Sequence, residues 1–421
     1  MTFVIFFGRL PVFRHTPIAW IHRLFLVHLP RGVLALDQRL TAGKFTTLLR
    51  RFGHFMMNDR HPTILIFFIA LLAVSEYYAL PAAWPLLATS QKATVAVLVV
   101  LPYLFLYLAA AADPGTVSLA TLPQQLLQYP YDYALFHPGA RCRTCNLLKP
   151  PRSKHCPVCK RCIARLDHHC VFINNCVGAG NTHWFLLLLF STAVLVTYGG
   201  VVGARLVAQR ITTERYPGWS LLPWRSSLSL SPSSPSSSLT REWLIPLAWG
   251  LRRCLHLGTV SLLALLLSPL VWGLLVYNLW NVWTGQTTNE SLKWADWQCD
   301  VAEGLAYRRP FGSNFDAKHA SHGAYHRRSS TDTGAWTRWP VEAAHVLVRS
   351  EDGLPPPPDD PTLPGVGAWE QVQSLRDVDN LYDLGFWRNL TDIFVPSYSF
   401  RAAGLPSVEA RGRPRARTRR K

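Results

Sequence analysis

The sequence predicts an α-helical polytopic membrane protein with about four transmembrane helices and a small cysteine-rich domain. Four runs of the 421-residue chain are almost free of charge and have about the 20-residue length that spans a bilayer. Seven of the nine cysteines lie in one short stretch, from Cys142 to Cys176. Charged residues make up only 16% of the chain, which is low for a soluble protein.

The four apolar runs carry most of this prediction. One such run could be a buried helix of a soluble core, but four in one chain favour a membrane protein. Glu76 makes the first run the least apolar of the four. The predicted spans are Thr63–Ala83, Ala93–Ala112, Trp184–Ala204 and Thr259–Trp280.

The N-terminal segment, residues 1–62, is predicted to be cytosolic or interfacial. It mixes Arg and His with large apolar side chains such as Trp20 and Phe25, a pattern that suits a helix in the membrane interface. A soluble amphipathic helix is the alternative. The apolar start, Thr2–Phe7, is too short to span a bilayer, so we interpret it as the truncated remnant of a longer hydrophobic segment.

The cysteine-rich stretch is interleaved with His155, His168 and His169. A disulfide framework would not need histidines, whereas a zinc site in a reducing compartment would. We therefore predict that residues 113–183 form a zinc-stabilised cysteine-rich cytosolic domain.

This location sets the topology of the chain. Both termini are then cytosolic, and the loop 205–258 is lumenal, although its seven arginines weigh against that side. Its Ser/Pro tract, Ser226–Ser238, is expected to be disordered.

The cytosolic tail, residues 281–421, carries an aromatic patch at Asn380–Phe394 and a basic end. The basic end either binds anionic lipid or is solvated. Because the apolar runs identify a membrane protein, the net charge of +18 is not taken to indicate a nucleic-acid partner.

Ten Cys and His side chains lie between Cys142 and Cys176. Short Cys-x2-Cys loops suit tetrahedral zinc, because both sulfurs can reach one metal ion. Two four-coordinate zinc ions would use eight of the ten side chains. The remaining two could be a thiol nucleophile and its base, but the count does not say which two they are.

Local chemistry narrows the choice to Asp167, His168 and Cys170, which lie within four residues of each other. An adjacent imidazole can lower the pKa of a thiol enough to give reactive thiolate near neutrality. A carboxylate would fix the imidazole tautomer and stabilise the imidazolium. These three residues are therefore the candidate catalytic group.

Two other classes of function stay open at this point. One or two zinc knuckles could form a binding surface, with Cys170 as a ligand or a buried thiol. A RING-type ubiquitin-ligase module fits that class poorly, because no Cys-x2-Cys pair follows the histidines. A transporter is disfavoured, because Glu76 and the border residue Asp113 are the only acidic residues in the predicted spans.

Residues 141–181, RCRTCNLLKPPRSKHCPVCKRCIARLDHHCVFINNCVGAGN, resemble the cysteine-rich domain of the DHHC protein acyltransferase family. Flanking motifs agree with this resemblance. Asp113-Pro114-Gly115 is similar to the family's DPG motif, and Thr287-Thr288-Asn289-Glu290 to its TTxE motif. The patch Asn380–Phe394 looks like the family's C-terminal motif, with Tyr382 and Asn389 as candidate packing and hydrogen-bonding residues.

The resemblance implies a protein S-palmitoyltransferase with a ping-pong reaction. Cys170 would take a long acyl chain from acyl-CoA and pass it to a cysteine of a membrane protein. His168 would be the base, oriented by Asp167, and Thr288 would contact that aspartate. Two structural zinc ions would be bound as interleaved sets, by Cys142, Cys145, His155 and Cys162 and by Cys156, Cys159, His169 and Cys176.

Basic residues of the domain could also meet the phosphates of coenzyme A, although a solvated basic face is the alternative. The candidates are Lys149, Arg152, Lys154 and Arg165.

One position departs from the family pattern. The family usually has Pro-Trp after the active cysteine, whereas this chain has Val171-Phe172. Phe172 keeps an aromatic surface but lacks the indole N–H. A slower enzyme, a changed acyl-chain preference or a catalytically inactive DHHC-like membrane zinc-binding interaction protein would each be compatible with this change.

The segments FFGRLPVFRHTPIAWIHR and NLYDLGFWRNL look most like a fungal subgroup of the family. The resemblance implies an endoplasmic reticulum membrane protein, with the Golgi as the alternative, whose active site faces the cytosol. The implied substrates are SNARE-like membrane proteins with cysteines beside a transmembrane helix.

Overall fold

The computed structural model describes residues 20–21, 24, 28–226, 239–311, 337–358, 360 and 362–403. The apolar start Thr2–Phe7, the basic end and the Ser/Pro tract after Ser226 lie outside these residues. The chain divides into two compact units, Met1–His61 and Pro62–Lys421. The helices are α1 (Leu29–Thr41), α2 (Lys44–Asn58), α3 (Thr63–Ala83), α4 (Thr89–Ala111), α5 (Leu122–Leu126), α6 (Thr182–Glu214), α7 (Leu239–Arg253), α8 (Leu255–Trp283), α9 (Thr288–Ala302) and α10 (Phe386–Phe394).

The strands are short and form three sheets. Two of the sheets are antiparallel hairpins, and the third has the order β6-β5-β7. The strands are β1 (Lys154–Cys156), β2 (Arg161–Ile163), β3 (His168–Cys170), β4 (Asn175–Val177), β5 (Ala306–Pro310), β6 (His345–Arg349) and β7 (Glu370–Gln371).

The first unit contains a helical hairpin made of α1 and α2. Ala42 and Gly43 form its turn, both with positive φ. The carboxylate of Asp37 accepts hydrogen bonds from the backbone N–H of Thr46 at 2.9 Å and from its hydroxyl at 2.5 Å. The side chain of Asp37 therefore fixes the angle between the two helices.

Four helices of the second unit, α3, α4, α6 and α8, are long and apolar enough to cross a membrane. They confirm the predicted fold class. Small residues allow α6 and α8 to approach closely: a Cβ at Gly203 would lie 1.9 Å from Oγ of Ser261. Glu76, the acidic residue of the first span, accepts a hydrogen bond from the hydroxyl of Tyr103 at 2.7 Å.

The helix bounds differ from the predicted spans, most of all for α6. A hydropathy window detects only the residues that lie in lipid, whereas α6 continues as a more polar helix to Glu214. Helix α7 also occupies part of the predicted loop 205–258. The indole N–H of Trp219 donates to the carbonyl of Trp243 at 3.2 Å, so this region is ordered where the structure describes it.

The described residues after α8, which we call the C-terminal segment, form a second core together with residues that precede the cysteine-rich stretch. Tyr129, Trp339, Tyr382 and Phe400 are buried together in it, and strand β6 contributes Val346. This core brings residues from before the cysteine-rich stretch into contact with residues near the end of the described chain.

Candidate active site and metal centres

Strand alternation separates the functional side chains of the cysteine-rich stretch. Successive side chains of a strand point to opposite faces. In β3, His168 and Cys170 therefore share one face, and His169 lies on the other. His169 is directly opposite Cys176 of β4 in the hairpin register. The candidate catalytic pair and a predicted metal ligand therefore extend from the same three-residue strand in different directions.

The first hairpin follows the same rule. His155 of β1 is directly opposite Cys162 of β2, whereas its neighbour Cys156 points to the other face. Adjacent residues in the sequence therefore enter different clusters. This geometry explains the interleaving that residue counting alone left undecided.

The first Cys/His cluster consists of Cys142, Cys145, His155 and Cys162, whose ligand atoms lie within 4.8 Å of one another. Nδ1 of His155 is 3.5, 3.3 and 3.9 Å from the sulfurs of the three cysteines, in that order. Zn–S bonds of about 2.3 Å and Zn–N bonds of about 2.0 Å in a tetrahedron place N and S about 3.5 Å apart. The cluster therefore fits one zinc ion.

The second cluster consists of Cys156, Cys159, His169 and Cys176. Nδ1 of His169 lies 3.8, 3.4 and 3.6 Å from the three sulfurs, in that order. None of these cysteines is in a disulfide. This cluster has the same tetrahedral fit, so the structure holds two groups that could each bind a metal ion.

The candidate catalytic residues are brought together beside the second cluster. Nδ1 of His168 lies 2.6 Å from Oδ2 of Asp167. The ring of His168 packs edge-on against Phe185, with 5.4 Å between ring centroids. Cys170 is buried in an apolar cluster with Leu106, Ile173 and side chains of α6 such as Phe185. The thiol therefore lies at the junction between the cysteine-rich module and the membrane helices.

The electrostatics favour a charged imidazole. Burial of His168 lowers its pKa, but hydrogen bonds to Asp167 and Cys170 and their negative charges outweigh burial and raise the pKa to about 10. Burial of Asp167 raises its pKa, yet the contacts with His168 and Thr288 leave it below its ordinary value. This arrangement favours the imidazolium form of His168.

Helix α9 brings Thr288 to Asp167, a candidate catalytic residue. Its N–H donates to Oδ1 of Asp167 at 2.5 Å and its hydroxyl to Oδ2 at 3.0 Å. The first turn is held by a capping box, in which Thr287 accepts from the N–H of Glu290 at 3.2 Å and Glu290 accepts from the N–H of Thr287 at 2.9 Å. Of these threonines, Thr287 caps the helix and Thr288 orients Asp167.

Glu290 has a second role that sequence analysis missed. It forms a bidentate pair with Arg152, at 2.7 and 2.6 Å, and each side chain is only 1% exposed. The guanidinium also lies 4.4 Å from the ring centroid of Tyr382. The pair joins the cysteine-rich module to α9 and to the C-terminal patch.

This burial corrects one interpretation of the basic residues. Arg152 is neither part of a solvated face nor available to a phosphate group. Arg165 is also buried, 3.5 Å from Asp392, which in turn accepts from Tyr129 at 2.8 Å and pairs with Arg338. The Nζ of Lys154 donates to Asn289 at 2.7 Å.

Asn389, the predicted support residue of the tail, closes the end of α8. Its side-chain N–H donates to the carbonyl of Val282 at 2.9 Å, and its carbonyl oxygen accepts from the N–H of Leu384 at 2.9 Å. The last carbonyls of a helix lack partners within the helix, so this amide satisfies one of them.

Two further asparagines hold the cysteine-rich module to the end of α4. The side chain of Asn181 donates to the carbonyls of Ala109 at 3.0 Å and Cys176 at 2.8 Å. Asn175 donates to the carbonyl of Ala112 at 2.9 Å. Gly180 is required nearby, because a Cβ there would lie 2.1 Å from the carbonyl oxygen of Asp113. Asn175 and Asn181 lie within the sequence signature of residues 141–181, but the carbonyls of Ala109 and Ala112 that they contact lie at the end of α4.

Phe172, two residues after Cys170, contacts a side chain that lines an apolar cavity. Val171 and Phe172 are both exposed in the protein, and the ring of Phe172 meets that of Phe68 edge-on at 5.8 Å. Phe68 also lines an apolar cavity of about 190 Å³ among the membrane helices. A cavity of about 150 Å³ lined by apolar side chains can hold benzene, so this one has room for a small apolar group or for part of a longer one.

Comparison with known proteins agrees with the site. A model of the family described as DHHC palmitoyltransferase matches residues 136–295. Palmitoyltransferase SWF1 of Neurospora crassa is 50% identical to this chain over 424 residues, covering 100% of this chain and 96% of its own length. Palmitoyltransferase swf1 of Emericella nidulans is 36% identical, with 93% of each chain covered. Palmitoyltransferase ZDHHC4 of Mus musculus is 34% identical over 58% of this chain and 69% of its own length.

Proposed function

Because this chain belongs to the DHHC palmitoyltransferase family and is a protein S-palmitoyltransferase, we propose that it works by a ping-pong mechanism with Cys170 as nucleophile, His168 as base and Asp167 as the residue that orients it. One observation carries this proposal: His168 and Cys170 lie on the same face of β3, and Asp167 contacts both His168 and Thr288.

In the first step, the Cys170 thiolate attacks the thioester carbonyl of acyl-CoA. The new thioester forms on Cys170, and the coenzyme A thiolate leaves with a proton from His168. In the second step, His168 takes the proton of a substrate cysteine, whose thiolate attacks the acyl-enzyme. The acyl group is transferred and the Cys170 thiolate is released.

Acyl-CoA as the donor is supported by the position of the thiol. The apolar cluster around Cys170 includes Phe68, which also lines the cavity among the membrane helices. A long acyl chain with part of its length in that cavity would bury apolar surface while its carbonyl reaches the thiol. Phe172, beside Phe68, would cover the reacting thioester from one side.

Two zinc ions are proposed to stabilise the module rather than to react. Both clusters have four Cys or His ligands, as structural zinc sites do. Bound zinc would supply folding energy and fix the hairpins that present His168 and Cys170.

The proposed substrates are membrane proteins such as SNAREs with a cysteine beside a transmembrane helix. A thiol that lies where the module meets the membrane helices can reach only cysteines near the bilayer surface. The likeness to the fungal subgroup supports an endoplasmic reticulum location with the active site toward the cytosol, and the Golgi is the alternative.

The test is incubation of the purified protein with palmitoyl-CoA, followed by intact mass with and without neutral hydroxylamine. We expect one palmitoyl adduct that hydroxylamine removes and that Cys170→Ser lacks. Cys299→Ser is the matched control, because Cys299 is exposed and outside the site. An adduct that persists in Cys170→Ser would exclude the proposed nucleophile.

If folded wild type with two bound zinc ions forms no adduct, the double variant Val171→Pro/Phe172→Trp decides between the two remaining interpretations. Recovery of the adduct would assign the loss to these two residues. No recovery would favour the inactive zinc-binding interaction protein.

A further inference from the structure

The hairpin of α1 and α2 leaves its large apolar side chains uncovered. In α2, Phe45, Leu48, Phe52 and Phe55 recur at the spacing of one helix face, and Leu48 is 66% exposed. In α1, Leu29, Leu36 and Leu40 form a similar row, and Leu40 is 73% exposed. The two helices therefore do not bury these faces against each other.

The opposite face of α2 is polar and basic. Arg50 and His54 lie about 180° from the apolar row on a helical projection, and both are exposed. Residues 28–61 carry six Arg or Lys and two Asp, a net charge of +4. One of those aspartates, Asp37, accepts two hydrogen bonds from Thr46 at the turn of the hairpin. A basic helix with a row of Phe and Leu has the composition of an interfacial membrane helix.

The chain itself keeps the hairpin near a membrane surface. Only four residues separate Asn58 at the end of α2 from Thr63 at the start of the membrane helix α3. The five Cα–Cα steps from Asn58 to Thr63 reach at most about 18 Å. The bilayer is therefore the nearest surface that offers both anionic headgroups and an apolar layer beneath them. The short linker does not hold the hairpin near a soluble protein partner in the same way.

We propose that the α1–α2 hairpin is a membrane-binding element that inserts its apolar rows into the headgroup region of an anionic leaflet. Its partner is the lipid bilayer, and its basic residues select anionic lipid. This assignment is independent of the acyl-transfer chemistry.

The test uses the full-length protein in vesicles, with a photo-crosslinking amino acid placed at Phe52 and, as the matched control, at His54. The vesicles contain phosphatidylcholine alone or with about 30% phosphatidylserine. We expect crosslinks to lipid from position 52 and few from position 54. Equal crosslinking at both positions, or none at position 52, would overturn the proposal. A crosslink from position 52 to a second copy or to another protein would also overturn it.

The lipid preference has its own variant. Arg50→Gln/Arg51→Gln removes two exposed cations without changing the apolar row. Because each cation near an anionic surface changes partitioning by about fivefold, crosslinking in phosphatidylserine vesicles should fall by up to about 25-fold. It should change little in phosphatidylcholine alone. An unchanged yield in both vesicles would exclude anionic lipid as the partner.

Discussion

The cysteine-rich module and the C-terminal segment that packs on it are ordered by different means. The module, residues 141–177, has short hairpins and small apolar clusters, and its Cys and His side chains converge on two points. The C-terminal segment has an aromatic core around Trp339 and Tyr382 and no Cys/His cluster among its described residues. The first region has two groups of side chains that could each hold a metal ion, whereas the second has an aromatic core and buried ion pairs.

The cysteine-rich module and the C-terminal segment therefore differ in which substitutions or treatments would destabilise them. Ligand geometry in the module is local, since the four side chains of each cluster lie within 21 consecutive residues of the chain. The C-terminal segment instead contacts the module through single buried groups, such as Glu290 on Arg152 and Thr288 on Asp167. Asp167, the candidate residue for orienting the base, lies at this boundary and contacts both regions.

The largest expected effect is loss of the module's fold on metal removal. A structural zinc ion contributes about 10–16 kcal/mol of apparent binding free energy, which is coupled to folding. Chelation should therefore abolish amide protection in residues 154–177 and acylation together, while strands β5–β7 keep their protection. Hydrogen exchange measured by mass spectrometry tests this expectation, and added zinc should restore both properties. Retained protection after confirmed metal loss would contradict it.

The next effect concerns the buried pair that joins the two regions. Arg152→Met leaves Glu290 as an uncompensated buried charge, so we expect a loss of about 3–5 kcal/mol in stability. Thermal unfolding in detergent measures it. The matched control is Arg152→Met/Glu290→Leu, which should recover part of the loss because neither charge remains. A single variant as stable as wild type would show that the pair does not couple the two regions.

A smaller change in stability, a gain and not a loss, is expected when Asp132 in the aromatic core is replaced. Its Oδ1 accepts from the N–H groups of Ala134, Leu135 and Phe136, but its Oδ2 has no partner among the described residues. Burial raises the pKa of Asp132 to about 6, above the value of 3.8 expected in the unfolded chain. The unfolded chain therefore releases this proton at lower pH, and stability falls as the pH rises from about 4 through 6.

Asp132→Asn removes this titration and should be more stable than wild type by about 1–2 kcal/mol near pH 7.5, after allowance for an unpartnered amide. The advantage should shrink as the pH falls below 6. Melting temperatures of both proteins at several pH values test the prediction, and the metal sites affect both proteins equally. A gap that does not vary with pH would contradict the raised pKa.

The sequence predicted the features that depend on residues close to one another in the chain. The membrane helices follow from uninterrupted apolar runs, and the two Cys/His sets follow from the resemblance of one short stretch to the DHHC family. Thr287 and Glu290 were identified only as part of a TTxE-like motif, although their spacing is also that of a capping box. In contrast, Arg152 was misinterpreted because its partner Glu290 is 138 residues away. Buried ion pairs between distant segments leave no periodic pattern in a sequence.

The remaining errors have similar causes. The extension of α6 to Glu214 was missed because hydropathy identifies the lipid-exposed part of a helix and not its end. Asn175 and Asn181 were visible in the signature, but their role depends on carbonyls at the end of α4. Strands β5–β7 were not predicted, because they are short and their pairings join residues far apart in the chain.

The alternation in β3 also limits how the gene can change. A deletion of one residue before His168 would reverse the faces of the strand, and His169 would turn toward the candidate catalytic side while His168 and Cys170 turned away from it. The loss of one codon would thereby disrupt a candidate metal site and the proposed nucleophile at the same time. Substitutions at exposed positions such as Val171 carry no such double penalty. Sequence variation in this hairpin should therefore consist of replacements, with insertions and deletions confined to the loops outside it.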